Sequence, residues 1–273
     1  MTVQAEQTVL DHYILGEVYS QRPGTKCLPA IEKSTGRRCI LKIYEVPKDV
    51  TVTEVMLLCG AFQSRDELSD YYKKLSLELC RQAAIMNALS ANGGFSHYLT
   101  CQIIQVEDMG YRIYLLSPFE KTLAVKFEKE LFSNKEIIRL ACDLCRSLKV
   151  AREAGYIYVG LKPQNIFCTG DGYVIGDLGF IPLSSLPYRS LPQSYHNIYT
   201  PASSHDCFGT IPDKCDLFSL GKVLLQACCG GHLPKKELPD DNPLLQVILK
   251  ACEPDSYPTL DSFEEALRGC SLP

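Results

Sequence analysis

The chain has 273 residues, 46% of them hydrophobic, and a formal net charge of −4 at pH 7, so it can form one large domain or two lobes that share a cleft. The acidic balance argues against a dedicated nucleic-acid binder. The N-terminus has no basic start followed by an apolar core, and no apolar run reaches about 18 residues, so we expect no membrane segment and a cytoplasmic location.

The first predicted elements are strands of a small antiparallel sheet, at residues 13–18 and 28–31, with a hairpin turn at 33–37. A third strand, at 39–44, is apolar apart from Lys42. A lysine in such a strand can extend its ammonium group to solvent at a sheet edge, or it can serve a bound ligand, and the strand alone leaves both alternatives open.

Helical signals follow at residues 55–62 and again from the capping-box sequence at 64–67, and the apolar pattern then predicts a helix at 75–89. Residues 100–107 and 111–116 then predict a hairpin that turns at Asp108-Met109-Gly110, and residues 117–120 connect it to the second half of the chain.

A second capping box, Ser133 to Glu136, opens a long predicted helix. Its apolar residues recur with the helical period and should form one buried face: Ile137, Leu140, Ala141, Leu144 and Leu148. A loop rich in Ser, Pro and Tyr follows residue 182, and residues 243–252 and 260–267 predict the closing helices.

The 14 cysteines are scattered without the regular spacing of a secreted disulfide scaffold, so we expect reduced thiols, most of them in the core. Cys142 and Cys145 have the spacing of half a zinc site. They lie in the predicted amphipathic helix without a matching second pair, so a structural role is favoured there.

The stretch from Tyr156 to Phe180 predicts a tight loop and two short strands, Ile166 to Cys168 and Tyr173 to Ile175, joined by a turn. This arrangement should bring Asn165 and Asp177 together near Lys162. Two hard oxygen ligands beside a cation suit a magnesium phosphate better than a soft metal.

These residues resemble the motifs of the eukaryotic-like protein kinases. Leu161-Lys162-Pro163-Gln164-Asn165 is similar to L-K-P-x-N of the catalytic loop, Asp177-Leu178-Gly179 to D-F-G, and Asp216 to Gly221 to D-V-W-S-L-G. The resemblance implies an α+β, bilobal protein-kinase-like fold, with an N-lobe of sheet plus helix at 1–117 and a mainly helical C-lobe at 118–273. It also implies that Asp216 hydrogen-bonds the catalytic loop.

The resemblance further implies ATP and Mg2+ as cofactors. Lys42, Lys162, Asn165 and Asp177 would be the nucleotide-binding residues, and Asn165 and Asp177 the metal ligands. The family pairs the strand lysine with a helix glutamate; the usual spacing puts Gln82 at that position, whereas Glu78 lies one turn earlier, and both stay open.

The chain departs from the family where the chemistry occurs. Tyr158-Val159-Gly160 stands in place of His-Arg-Asp, so Gly160 replaces the catalytic base and no catalytic residue is intact. The glycine-rich loop keeps only Gly16 and Gly24, and Ile40 replaces a small alanine beside the adenine. Residues 200–202 align with A-P-E but lack its acid, and residues 253–258 resemble D-P-x-x-R-P but lack its arginine. In the family these two residues form a buried ion pair, so both partners of that pair are missing here.

These departures predict a pseudokinase, that is, a catalytically inactive or severely impaired regulatory or binding module with a protein partner and residual Mg-nucleotide binding. The alternative is a low-activity or atypical Ser/Thr protein kinase that transfers the γ-phosphate of ATP. A third interpretation is that Asn165 and Asp177 serve only as loop caps.

Overall fold

The computed structural model describes residues 11–106, 109–185, 196–205, 214–234, 242–253 and 256–270. The strands are β1 (Tyr13–Leu15), β2 (Ser20–Arg22), β3 (Thr25–Glu32), β4 (Arg38–Val46), β5 (Thr100–Val106), β6 (Gly110–Pro118), β7 (Lys121–Thr122), β8 (Tyr156–Tyr158), β9 (Ile166–Thr169), β10 (Gly172–Ile175) and β11 (Phe180–Pro182). The α-helices are α1 (Val50–Leu58), α2 (Arg65–Ser90), α3 (Leu123–Phe127), α4 (Asn134–Glu153), α5 (Cys215–Cys228), α6 (Pro243–Ala251) and α7 (Leu260–Gly269).

The described residues form two compact units of mixed α and β structure. The first unit comprises the residues up to Asn87 together with His97–Phe119, and the second comprises Ala88–Ser96 together with the residues from Glu120 onward. The boundary inferred from the sequence, between residues 117 and 118, stays a prediction.

The first unit is built on a curled antiparallel sheet in the order β1-β3-β4-β6-β5, with β2 paired to β3. The hairpins expected at 33–37 and 108–110 are confirmed by the pairing of β3 with β4 and of β5 with β6; Asp108 itself lies outside the described residues. The short strand β2 was not predicted, because its sequence Ser-Gln-Arg carries no apolar alternation. Buried residues on the core face of the sheet are Ala30, Cys39, Leu41, Ile104, Tyr114 and Leu116.

The helical signal predicted from residue 64 is confirmed, and it belongs to the same helix as the one predicted at 75–89: α2 runs unbroken from Arg65 to Ser90. Ser64 caps it, because the Ser64 Oγ accepts the Glu67 N–H at 3.1 Å. The preceding helix α1 starts at Val50, where Asp49 accepts the Thr51 N–H at 2.9 Å, rather than at Val55. The cap residue therefore marks the first turn of both helices, whereas the apolar pattern alone placed each start too late.

In the second unit, the predicted capping box is confirmed: Ser133 and Glu136 satisfy each other's backbone N–H groups at the start of α4. The predicted apolar face of this helix, from Ile137 to Leu148, is also buried. Helices α6 and α7 lie where the closing helices were expected. Parts of the predicted loops, at 186–195, 235–241 and 254–255, lie outside the described residues.

A search of the described helices for a stretch long and apolar enough to cross a bilayer finds none. The cysteines of the described chain are all free thiols. Cys145 of the CxxC spacing is buried in α4, and burial raises the pKa of its thiol, which agrees with a structural role. Over the same residues, no group of three or more His, Cys, Asp and Glu side chains is arranged to hold a metal ion.

Candidate functional site

Two small sheets position the predicted catalytic loop. The two predicted strands are found as β9 and β10, and they pair antiparallel with Ile166 opposite Ile175. Strand β8 pairs with β11, so that Tyr158 lies opposite Phe180. The loop after β8 and the segment after β10 therefore run between the same two sheets, and residues 159–165 are brought against residues 176–179 in the second unit.

Asn165 is buried, with 6% of its surface exposed, and it ties the two segments together. Its side-chain Nδ2 donates to the Gly160 carbonyl at 2.9 Å, and its own carbonyl accepts the Gly176 N–H at 2.8 Å. Within the described part of the chain, its Oδ1 accepts no hydrogen bond. The amide nitrogen is thus used by the loop, whereas the amide oxygen can still act as a ligand.

Asp177 follows Gly176 directly and has an unusual backbone. Its φ of 71° makes it the single non-glycine residue with a positive φ among the described residues. Asp tolerates this left-handed region better than most side chains, but the conformation still costs free energy and is enriched at functional sites. Its Oδ1 accepts the Leu178 N–H at 2.9 Å, so the loop holds the carboxylate in a defined orientation.

Gly160, at the position that the resemblance assigns to the catalytic base, lies in closely packed surroundings. A Cβ built there would lie 2.8 Å from the Tyr158 hydroxyl oxygen and 3.0 Å from the Leu178 carbonyl oxygen. Gly179 packs from the other side, where an added Cβ would be 2.9 Å from the Gly160 nitrogen. The backbone of one segment therefore occupies the space that side chains of the other would need.

Tyr158 explains why this space is closed. Its side chain is fully buried, and its hydroxyl donates to the Gly176 carbonyl at 2.9 Å. Its ring also contacts the Phe180 ring with 5.3 Å between centroids. The phenol thus crosses from the loop to the residues just before Asp177, and moving it aside would leave the Gly176 carbonyl without this partner.

Lys162 is half-buried, and its carbonyl accepts the Asn165 N–H at 2.9 Å at the start of a short 3-10 turn, Pro163–Asn165. The turn thus joins the backbones of Lys162 and Asn165 directly. The three residues predicted in this half of the chain, Lys162, Asn165 and Asp177, therefore belong to one pair of hydrogen-bonded segments.

The remaining predicted site residue, Lys42, lies in β4 of the first unit. It is half-buried between Cys27 on β3 and Leu115 on β6, and its Nζ lies 5.1 Å from the centroid of the Tyr44 ring. The lysine is thus in the middle of the sheet and not on an edge strand.

The two candidate partners on α2 differ in burial. Gln82 has 8% of its surface exposed, whereas the Glu78 side chain is 48% exposed and forms a two-pronged ion pair with Arg81. Gln82 Nε2 also donates to Glu78 Oε1 at 3.1 Å. Gln82 is therefore the inward-facing residue of the two, and its pairing with Lys42 stays a prediction.

Gly16, one of the two glycines in the predicted glycine-rich loop, has a role in local packing. The Gly16 N–H donates to the Pro29 carbonyl at 2.8 Å, and a Cβ on Gly16 would lie 2.7 Å from the Pro29 ring. Only glycine fits at position 16, because any side chain there would collide with Pro29. Pro29 in turn lies opposite Ile40 in the neighbouring strand. This glycine has a packing role independent of any phosphate.

Asp216 has a different partner from the one that the resemblance implied. Both of its carboxylate oxygens accept from the Arg152 guanidinium, at 2.9 and 2.6 Å, and its Oδ1 also accepts the Leu217 N–H. The expected hydrogen bond to the catalytic loop is replaced by this ion pair between α4 and α5. Arg152 was missed because it lies at the end of α4, outside every recognised motif.

The two positions that the resemblance assigns to the A-P-E ion pair hold uncharged residues. Ala202, at the position of the acid, is exposed. Tyr257, at the position of the arginine, is buried, donates to the Val247 carbonyl at 3.2 Å and packs against Phe263. Tyr257 therefore fills its place in the core without leaving a charge unpaired, as expected when both partners are lost together.

Comparison with known proteins gives weak similarity to kinases. No protein-family profile matches the chain. It is 30% identical over 100 residues to a Wee1-like protein kinase of Oryza sativa subsp. japonica, covering 36% of this chain and 19% of that protein. It is 23% identical over 245 residues to a probable serine/threonine-protein kinase of Clostridium perfringens, covering 78% and 33%. A probable protein kinase of Dictyostelium discoideum is 27% identical over 103 residues, covering 35% and 26%.

The matched regions span about a fifth to a third of the length of these relatives. Together with the curled antiparallel sheet and the helices that follow it, these similarities support a protein-kinase-like family for this chain.

Proposed function

We propose that this chain is a pseudokinase: a bilobal protein-kinase-like module, with lobes at 1–117 and 118–273, that regulates or binds a protein partner and has at most severely impaired catalysis. The observation that carries the proposal is the packing around Gly160. The base position has no carboxylate, and the Tyr158 hydroxyl and the Leu178 carbonyl occupy the space where its Cβ would lie. Position 160 therefore offers no side chain that could accept the proton of a substrate hydroxyl.

The residues present fit a magnesium ion better than they fit proton transfer. The Asn165 amide nitrogen is held by the Gly160 carbonyl, which leaves the amide oxygen for a hard cation, and the Asp177 carboxylate follows one residue after Gly176. Asn165 and Asp177 would hold the metal, and Lys162 and Lys42 would contact nucleotide phosphates. Magnesium bound there would neutralise phosphate charge.

Binding of MgATP is tested by thermal or chemical unfolding of the whole chain. At a ligand concentration of about 100 times its dissociation constant, we expect a gain of about 2.7 kcal/mol in the free energy of unfolding. Asp177→Ala and Lys42→Met should each reduce this gain, because each removes a group that would contact the metal or the phosphates.

The matched control is Lys33→Met, at the hairpin turn after β3, where the lysine Nζ donates only to the Asp11 carbonyl within the described part of the chain. This variant should keep the full gain. A wild-type protein that shows no gain up to millimolar MgATP would remove nucleotide binding from the proposal and favour the interpretation of Asn165 and Asp177 as loop caps.

A low-activity Ser/Thr protein kinase is the second candidate function, and the strained Asp177 favours it. The positive φ of Asp177 costs conformational free energy, and such costs are found most often at functional sites. Loss of a general base alone lowers rates by about 10²–10⁴-fold, which leaves room for slow transfer of the γ-phosphate.

Single-turnover transfer from labelled ATP separates the two functions. The proposal of a pseudokinase predicts no label on the chain or on a general protein substrate above the level of Asp177→Ala. Label that appears with the wild type and is lost with Asp177→Ala would instead establish the slow kinase.

A further inference from the structure

Two cysteines of the first unit lie side by side although they come from different elements. Cys80 is in the middle of helix α2, and Cys101 is the second residue of strand β5. The Cys101 thiol donates a hydrogen bond to the Cys80 sulfur, and the two sulfur atoms are 3.0 Å apart. Both are free thiols. Twenty-one residues separate them along the chain, so their contact is made by the packing of the helix on the sheet.

Both thiols are accessible to solvent, and their pKa values are shifted in opposite directions. Cys101 is exposed and Cys80 is partly exposed, unlike the buried thiols Cys39, Cys145 and Cys215. The hydrogen bond from Cys101 lowers the pKa of the Cys80 thiol, whereas the same bond, together with burial, raises the pKa of Cys101. Since the thiolate is the reactive form of cysteine, Cys80 is the favoured nucleophile and Cys101 the neighbour that can resolve its oxidised form.

We propose that Cys80 and Cys101 form a reversible disulfide when the protein meets hydrogen peroxide, so that this pair is a redox modification site. The Cys80 thiolate attacks one peroxide oxygen; an S–O bond forms, the O–O bond breaks, and the second oxygen leaves as water after protonation. The Cys101 sulfur then attacks the sulfenic sulfur of Cys80; the S–S bond forms, the S–O bond breaks, and a second water leaves. The two thiols lose two electrons in total, and one peroxide is reduced to two waters.

The disulfide would link α2 to the sheet close to Lys42 and to its two candidate partners. Cys101 is directly opposite Leu115 on β6, and Leu115 is directly opposite Lys42 on β4. On the helix, Cys80 lies between Glu78 and Gln82, the two candidate partners of Lys42. Oxidation would therefore restrict the movement of the helix segment that carries these two residues relative to the strand pairs that carry Lys42. The disulfide itself does not depend on nucleotide binding.

Peptide mapping tests the disulfide on the whole purified chain. Trypsin cleaves after Lys74, Arg81 and Arg112, which places the cysteines in separate peptides, residues 75–81 and 82–112, with no other cysteine in either. After treatment with hydrogen peroxide and blocking of free thiols, we expect these peptides to be joined. Treatment with dithiothreitol should separate them, and the oxidised chain should contain two free thiols fewer than the reduced one.

The Cys101→Ser variant should lose the joined peptide, and Cys59→Ser should retain it, because Cys59 is an exposed thiol whose sulfur instead lies 3.5 Å from the Met56 carbonyl oxygen. Peroxide that consumes other thiols while peptides 75–81 and 82–112 stay separate would overturn the proposal. So would a disulfide that joins peptide 75–81 to any other cysteine.

Hydrogen exchange tests the effect on the helix. Amides of residues 75–90 should exchange more slowly in the oxidised wild type than in the reduced wild type, and peroxide should not slow them in Cys101→Ser. Equal exchange in the oxidised and reduced wild type, in a sample where mapping finds the bond, would overturn the inference that the bond restrains α2.

Discussion

Replacement of Arg152 by methionine is expected to lower the free energy of unfolding by about 3–5 kcal/mol, because it leaves the carboxylate of Asp216 buried without its counter-charge. Asp216 has no exposed surface, and both of its oxygens accept from Arg152. Methionine keeps much of the length and apolar surface of the arginine stem, so the loss reports mainly on the charge. Urea unfolding of the two proteins measures it.

A matched control is Arg146→Met on the same helix. Arg146 is 68% exposed, and its guanidinium lies 3.5 Å from the Asp143 carboxylate; a surface ion pair of this kind contributes about 0–1 kcal/mol. The double variant Arg152→Met/Asp216→Asn should recover part of the loss, because it removes the buried charge as well as its partner. A loss at Arg152 no larger than that at Arg146 would contradict the role assigned to the pair.

The pH dependence of the Arg152→Met variant follows from the same carboxyl group. Burial raises the pKa of Asp216, and the Arg152 guanidinium opposes this shift. A carboxyl with a raised folded-state pKa binds a proton more tightly in the folded protein, so stability falls as the pH rises from the unfolded pKa through the folded one. Removing Arg152 raises the folded pKa further. The variant should therefore lose less stability relative to the wild type at about pH 5 than at about pH 7.

Gly160→Ala is expected to lower the free energy of unfolding by about 1–3 kcal/mol, the usual cost of forcing an extra carbon into a packed interior. The added Cβ would lie 2.8 Å from the Tyr158 hydroxyl oxygen and 3.0 Å from the Leu178 carbonyl. In the Tyr158→Phe background, which lacks that hydroxyl, the same substitution should cost less, and a double-mutant cycle measures the difference.

Gly170→Ala is the control for this series, because a Cβ at Gly170 meets no atom within 4 Å. It should leave stability nearly unchanged. If Gly160→Ala were as well tolerated as Gly170→Ala, the closed packing at the base position would be refuted, and with it the observation that carries the proposed function.

Gly160→Asp extends the test to catalysis. The substitution restores the acid of the family motif, but its Cβ meets the same two oxygens, so we expect a less stable protein without phosphoryl transfer. Single-turnover transfer from labelled ATP is the measurement. Activity that depends on Asp at position 160 would mean that the base is the one missing element and that the loop adjusts to accept it.

Local signals with a direct physical cause predicted much of the fold. The capping box at Ser133, the apolar face from Ile137 to Leu148 and the hairpin of β9 with β10 are all found as expected. Predictions failed where a polar sequence formed structure through its neighbours. The short strand β2 is held by pairing with β3. The helical signal at the Ser64 cap is confirmed, but the sequence did not show that this helix continues without a break into the one predicted from Leu75.

For the candidate site, the sequence predicted which two segments meet but not the contacts between them. The motifs placed Asn165 and Asp177 on segments that do meet, through the hydrogen bond from Gly176 to the Asn165 carbonyl. The position of the Tyr158 hydroxyl could not be read from the sequence, because a tyrosine there can turn its polar end toward several partners. The Arg152 pairing with Asp216 spans 64 residues between two helices, and such long-range pairs leave no local pattern.

The phenol of Tyr158 has a consequence for protein engineering at position 160. Any side chain introduced there would meet the Tyr158 hydroxyl and the Leu178 carbonyl within 3.0 Å of its Cβ. A smaller residue at position 158 would remove the first of these contacts but would also leave the Gly176 carbonyl without its hydrogen-bond donor. The order of the two substitutions therefore matters: we expect a variant at position 160 to fold best when Tyr158 has been replaced first.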